Sequence, residues 1–454
     1  MRIQVVDGYV VLPRSIEKTD VEVEEGTITA IGKVTKDPHA VRVVAKGKYI
    51  LPGFIDIHAN GIAGFDLTNG VFDTSTGRFC RKRDVYARGL ETALKTFALK
   101  GTTLVGLTIL EAPIKRLTEI FRRIARYRKG NTAVFNDVFF GVYIEGTFMK
   151  EKEFSGAHNP KYFNKPSVRL FEELQSAAKG NIRIVNVVPE WGKAALALIE
   201  HLCPQGIVCA VGHSGATGDQ YQAAIEKGST LAIHVMNGPS SSSAKPFNGG
   251  GVLEVLLQSE RVYAEIIADG YHVDRSYVMD IVKRKGIDKC VIVTDCMFVS
   301  AMKGIREFEL SGIRGKVSSN GKYLRIVDRG DALYGSVLTM DRAFQNVMNW
   351  FMTPLPGIWN RIHQPCTFDE ALLKTSHLCS ASPAKALGVY EPSDRNLINN
   401  LSCGTGEISV GKRADLVVAD IPRKRLPVAL TVESTIVNGT VVHKMEPCSH
   451  VRNL

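Results

Sequence analysis

The stretch Ile207–Asn237 reads IVCAVGHSGATGDQYQAAIEKGSTLAIHVMN. A β-branched run leads to His213, a helical segment follows, and a second apolar run leads to His234. Each histidine therefore falls at the C-terminal end of an expected strand within a strand–helix–strand repeat. That end is where a parallel β/α barrel assembles its site. Two imidazoles placed in this way can share one metal ion.

Working outward, the same alternation runs from Leu51 to about Asp295. Expected strands are Phe54–His58, Thr103–Ile109, Val138–Glu145, Ile182–Pro189, Ile207–His213, Thr230–His234, Val262–Asp269 and Cys290–Asp295. Helical segments separate them. In Ile114–Tyr127, for example, Leu117, Ile120, Phe121 and Ile124 recur at helical spacing. Lys193–Leu202 and Ser276–Lys285 behave alike. Eight strands with helical crossovers predict an α/β fold, a (β/α)8 TIM-type barrel over residues 51–403. An open doubly wound sheet would offer a Gly-rich first βα turn, and none is present. Beyond the eighth strand, Arg306–Val327 reads as a β-hairpin insertion turning at Asn320-Gly321. Helices over Thr339–Trp350 and Phe368–Leu387 follow, with Gly388 as a stop.

The two chain ends read differently. Ile3–Leu12, Val21–Ile31 and Val41–Ile50 are Val/Ile-rich with Gly and Asp at the turns, and Gly406–Asp420 and Ala429–His443 resemble them. Residues 1–50 and 404–454 are expected to form one small β-sandwich domain into which the barrel is inserted.

Composition excludes several classes. The 454 residues have an ordinary globular make-up, and no apolar run is long enough to cross a bilayer. The first residues read as strand and turn, not as a signal peptide. Nine cysteines without a CxxC or regular spacing suit a reduced intracellular compartment, so a cytoplasmic protein is expected. The formal charge of +11 is dispersed along the chain, which suits an anionic small molecule and not nucleic acid or a membrane.

Six expected strands deliver a chemically useful residue at or just past their C-terminal ends. These are Asp56-Ile57-His58-Ala59-Asn60, Glu145, His213, His234, Asp269-Gly270-Tyr271-His272 and Thr294-Asp295. Singly, each has a plain structural use, such as a helix N-cap for an aspartate. Together, Glu145, His213 and His234 make a His₂Glu set that leaves a metal position open for water. Asp295 is the natural general base beside that water.

At this point the chain resembles a known family. PGFIDIHANGIAGFD (Pro52–Asp66) is similar to the first-strand signature of the amidohydrolase superfamily. YIEGTFMKEKEFSGAHNP (Tyr143–Pro160), AVGHSGA, IHVMNGPS, IIADGYHVD (Ile266–Asp274), VTDC, LYGSVLTMD (Leu333–Asp341), SPAKALG and GEISVGKRADLVVAD follow in order. Together they resemble the N-acetylglucosamine-6-phosphate deacetylase family over nearly the whole chain. The resemblance implies a barrel with a β-sandwich, a divalent metal, a homodimer, and hydrolysis of the N-acetyl amide of an amino-sugar 6-phosphate. By position it assigns Glu145, His213 and His234 as metal ligands and Asp295 as acid/base. It assigns Ala157, His158, Asn237, Gly238, Asp269, His272, Leu333, Tyr334 and Gly335 to the substrate side. An arginine of the family, eleven residues past the second metal histidine, is replaced by Lys245, a point charge without the bidentate fork.

The first-strand motif here is HxN. With Asn60 a poor ligand for a transition metal, one ion per subunit is expected, with His58 beside a second-metal position. Zinc suits His₂Glu best; iron, cobalt and manganese also fit such donors. Cyclic amidases of the superfamily use a strand-four lysine, and Ile182–Pro189 has none. The competing reading is an amidohydrolase acting on another acetamido sugar or sugar phosphate.

Overall fold

The eight expected runs pair, in chain order, into one parallel sheet. Its strands are Phe54–Ala59, Thr102–Ile109, Phe139–Ile144, Ile182–Asn186, Val208–Val211, Ser229–Ala232, Tyr263–Ile267 and Cys290–Val293. The structure is a computed structural model in which residues 1–130, 134–237, 240–327, 329–330, 332–355, 364–393 and 398–445 are described. Nearly every strand residue is buried, as expected for strands covered on both faces. The sheet curls until its last and first strands meet. There the Asp295 N–H donates to the His58 carbonyl at 2.8 Å, and Thr294 bonds Asp56 through its N–H (3.2 Å) and Oγ1 (2.6 Å). The barrel is closed at the level of the candidate site.

Helices cover the outside. The helix Ile114–Gly130 buries Leu117, Ile120, Phe121 and Ile124, the four residues of its apolar stripe. The helices Lys193–Leu202 and Arg275–Lys285 match their expected ranges. The expected second closing helix breaks into Phe368–Ser376, a π-helical turn His377–Ala381 and Ser382–Ala386, before Gly388 at φ 68°.

The chain ends share one antiparallel-rich sheet. Its order is Thr440–Lys444, Thr431–Val437, Leu416–Asp420, Tyr49–Pro52, Arg2–Val11, Ile16–Glu24 and Thr27–Gly32, with Val41–Val44 also on Arg2–Val11. The register breaks between Val5 and Gly8, with Asp7 at φ 63°. This bulge bends the strand so that its first half pairs with Val41–Val44 and its second with Tyr49–Ile50. The runs Val21–Ile31 and Val41–Ile50 are thus not single strands. The first turns at Glu25-Gly26, both at positive φ, and the second at Lys46–Lys48. Ile3, Val5, Val23, Ile28, Leu416 and Ile436 are among the residues of a core separate from that of the barrel.

Arg306–Val327 holds three strands, Glu307–Leu310, Ile313–Val317 and Leu324–Ile326, in place of a hairpin. The tight turn is Ser311-Gly312, both at positive φ, while Asn320-Gly321 sits in the next loop. Phe308, Leu310 and Leu324 pack with Phe298 and Tyr334, which fixes this small sheet over the barrel mouth. No helix of the described residues is long and apolar enough to cross a membrane.

Candidate metal centre and its cavity

Asp56 and His58 alternate with Ile55 and Ile57 on the first barrel strand, so both point inward. Glu145 follows the third strand directly. His213, His234 and Asp295 each lie two residues past their strands, at φ 55°, 20° and 49°. Non-glycine residues in this region cost about 1 kcal/mol or more each and persist only where surroundings impose them. Those surroundings are visible. Asn186 bonds the Glu145 and Gly212 carbonyls through Nδ2 (3.1 and 3.2 Å) and accepts the Gly212 N–H (3.2 Å). Glu190 accepts from Ser214 Oγ (2.8 Å) and the Gly215 N–H (2.9 Å). The His234 N–H donates to Glu265 at 3.3 Å.

The turns bring three donor atoms together. Glu145 Oε1 lies 3.2 Å from His234 Nε2 and 3.5 Å from His213 Nε2, and the two imidazole nitrogens are 3.3 Å apart. A tetrahedral ion with bonds of about 2.0–2.1 Å spaces its ligand atoms about 3.3–3.4 Å apart. The residues therefore fit a divalent cation of zinc size. His213 Nδ1 donates to the Phe154 carbonyl at 2.9 Å, so the Nε2 lone pair faces the other donors. Burial pushes the His213 imidazole down to about 4, the neutral form a metal requires. Burial opposes ionisation of Glu145, yet the His58 and His158 imidazoles hold its carboxyl well below the usual range.

Around this triad lies a second tier. His58 Nε2 is 3.5 Å from Glu145 Oε2 and 3.6 Å from Asp295 Oδ1, and its Nδ1 is 2.8 Å from Glu265. His158 Nε2 is 3.6 Å from Glu145 Oε2, and its Nδ1 is 2.5 Å from Glu111. Although burial opposes it, Glu111 and then Glu145 raise His158 to about 10. Asn60 Nδ2 donates to Asp295 Oδ1 at 2.6 Å.

Above these groups is a cavity of about 290 Å³ lined by Glu145, His213, His234 and Asp295. Ala157, His158, Asn237, His272 and Leu333–Gly335 line it as well. His272 Nδ1 donates to Asp269 (2.7 Å), which stands behind it, and Nε2 is buried without a partner among the described residues. His58 lies beneath the cavity floor, fully buried. Lys245 is exposed and lines no part of this cavity, and Gly238 lies outside the described residues.

The sequence reading missed Glu265, Glu111, Asn186 and Glu190. Glu265 had a readable signal, since it is the one charged residue inside the strand run YAEII and both faces of that strand are buried. Glu111 directly follows the apolar run ending in Leu110. With these residues, every barrel strand contributes a polar group.

No family model matches the chain. It is 27% identical over 408 residues to a curated N-acetylglucosamine-6-phosphate deacetylase of Lysinibacillus sphaericus, covering 89% of this chain and 90% of that protein. It is 28% identical over 406 residues to an N-acetylgalactosamine-6-phosphate deacetylase of Escherichia coli O157:H7, covering 89% and 91%. Among solved structures it is similar to an N-acetylglucosamine-6-phosphate deacetylase from Thermotoga maritima, with a TM-score of 0.72, 25% identity, and coverage of 97% of this chain and 100% of that one.

Proposed function

We propose that this chain is a metal-dependent hydrolase that removes the N-acetyl group of N-acetyl-D-glucosamine 6-phosphate, giving D-glucosamine 6-phosphate and acetate. The observation that carries this reading is the meeting of Glu145, His213 and His234 at tetrahedral spacing beside Asp295 in one cavity. The curated relatives along most of the chain support the same substrate class.

Glu145, His213 and His234 would hold one divalent ion, with zinc preferred and iron, cobalt or manganese compatible with the donors. When bound, such an ion supplies a Lewis acid and lowers the pKa of water toward neutrality. The remaining chemistry belongs to the chain. Asn60 occupies Asp295 Oδ1, leaving the other carboxylate oxygen for the cavity. There Asp295 takes a proton from the attacking water and passes it to the departing nitrogen as the C–N bond breaks. His272, with Nδ1 donating to Asp269, lines the cavity and suits a sugar hydroxyl. His158, anchored by Glu111, lines the cavity as well.

The terminal segments 1–50 and 404–454 serve as one β domain beside the catalytic barrel of residues 51–403. All eight cysteines among the described residues are free thiols, which supports a cytoplasmic, reducing setting. The family resemblance supports a homodimer, which light scattering tests directly.

One relative acts on the galactosamine epimer, so the test includes both sugars. Acetate release is measured from N-acetylglucosamine 6-phosphate and N-acetylgalactosamine 6-phosphate, with and without chelator. Chelator-sensitive release from the glucosamine compound, faster than from its epimer, is the expected result. Release from neither sugar by metal-replete protein overturns the proposal.

A further inference from the structure

A sugar phosphate brings a dianion to a site that is already rich in carboxylates. Glu145 and Asp295 line the cavity, and Glu111, Glu265 and Asp56 are buried close by. Among the described residues no lysine or arginine lines the cavity, and Lys245 is turned to solvent. Besides the His158 imidazole, which Glu111 and Glu145 hold in its charged form, the place for a cation that meets the phosphate is the rim.

Arg329 is placed there. Its Nη1 donates to the Gly156 carbonyl at 2.5 Å. Gly156 lines the cavity and directly precedes Ala157 and His158. Arg329 sits in a tight turn closed by the Ala332 N–H on the Arg329 carbonyl (3.0 Å). That turn leads from the strand Leu324–Ile326 into the lining segment 332–335. Its charge also reaches Tyr334 on the cavity wall, where it opposes the upward push of burial on the phenol. Among the described residues no carboxylate pairs with it. One N–H of the guanidinium is thus fixed on a backbone carbonyl and the rest of the fork is left at the mouth. This arrangement holds the side chain in place and suits phosphate oxygens bidentately.

We infer that Arg329 is the residue that selects the phosphorylated sugar in this chain, in place of Lys245. The inference rests on the deacetylase reading, and the experiment separates the two. Acetate release is compared for N-acetylglucosamine 6-phosphate and N-acetylglucosamine with wild type, Arg329→Ala, Arg329→Lys and Lys245→Ala. Loss of charge-assisted hydrogen bonds predicts that Arg329→Ala loses roughly 10- to 100-fold in kcat/KM for the phosphorylated sugar, through KM. Its rate with the unphosphorylated sugar stays at the wild-type level, and Arg329→Lys falls between. Arg329→Ala retaining the wild-type preference, or Lys245→Ala losing it instead, overturns the inference. Glucosamine 6-phosphate binding, measured by calorimetry in the same proteins, decides the matter independently of turnover. If wild type releases no acetate from either sugar, the deacetylase reading fails. Arg329 is then judged on binding alone, and equal affinity in wild type and Arg329→Ala overturns it.

Discussion

Replacing Asp295 by asparagine separates the chemistry of this site from its architecture. Asp295 sits at φ 49°, a region that asparagine tolerates nearly as well as aspartate. The backbone is held on both sides, with the N–H on the His58 carbonyl at 2.8 Å and the carbonyl on the Ser336 N–H at 2.9 Å. Asp295 is not one of the three residues whose atoms meet at tetrahedral spacing. Fold and metal content should therefore survive. The new amide has one good orientation, because Asn60 Nδ2 stands 2.6 Å from Oδ1 and needs an acceptor there. The amide NH₂ is then forced toward the cavity, a donor where the reaction needs an acceptor. Loss of general acid–base catalysis costs about 10²- to 10⁴-fold, or roughly 3–5 kcal/mol in the barrier. The reversed role of the group places Asp295→Asn at the upper end. The assay is kcat for acetate release in metal-loaded protein, alongside metal content and a thermal melt. Asp295→Ala should lose activity similarly but also lose about 1 kcal/mol of stability, since alanine disfavours positive φ. Turnover of Asp295→Asn within tenfold of wild type at full metal content would refute the base. Loss of the metal in Asp295→Asn would make Asp295 a ligand instead.

The other expectations follow from the same geometry. Glu145→Gln and His213→Ala should each bind clearly less metal per chain than wild type, and chelation should abolish activity and lower the melting temperature; wild-type metal content in both variants would show that these residues do not hold the ion. Glu265→Leu strands His58 Nδ1 and the His234 N–H, and should cost about 3–5 kcal/mol in urea unfolding. The double variant His58→Leu/Glu265→Leu should recover part of that loss, and simple additivity would deny the pair. Burial raises the Asp56 carboxyl from 3.8 to about 7. Its protonated form is therefore favoured in the folded state, and its stabilising contribution is full below about pH 4 and lost as pH rises through 7. Asp56→Asn should accordingly gain stability relative to wild type between pH 5 and pH 8, by at most ~4 kcal/mol at 1.36 kcal/mol per pH unit. A stability difference that does not change with pH would mean that the Asp56 carboxyl is not shifted upward.

What the sequence disclosed follows from the range of the interactions involved. The apolar stripe of the helix Ile114–Gly130 is a local pattern, and the four residues read from it are the four that are buried. The strand ends are local as well, so Glu145, His213, His234 and Asp295 could be placed on one rim before any coordinates. The residues that tune the rim depend on ring closure. His58 and Glu265 are 207 residues apart, and Asn60 and Asp295 are 235 apart. No window of sequence contains either pair. Lys245 is the opposite case: counting eleven residues from His234 fixes a position along the chain and not the path of the loop that carries it, and the side chain is exposed and lines no part of the cavity. The left-handed backbone at His213, His234 and Asp295 was also hidden, since none of these is a glycine and local propensity argues against it. The bonds of Asn186, Glu190 and Glu265 around two of these turns, and the backbone bonds on either side of Asp295, impose the conformation from outside. Straightening any of the three turns would carry its side chain away from the point where the donor atoms meet. The strain and the site are one feature of this barrel, legible only once the eighth strand meets the first.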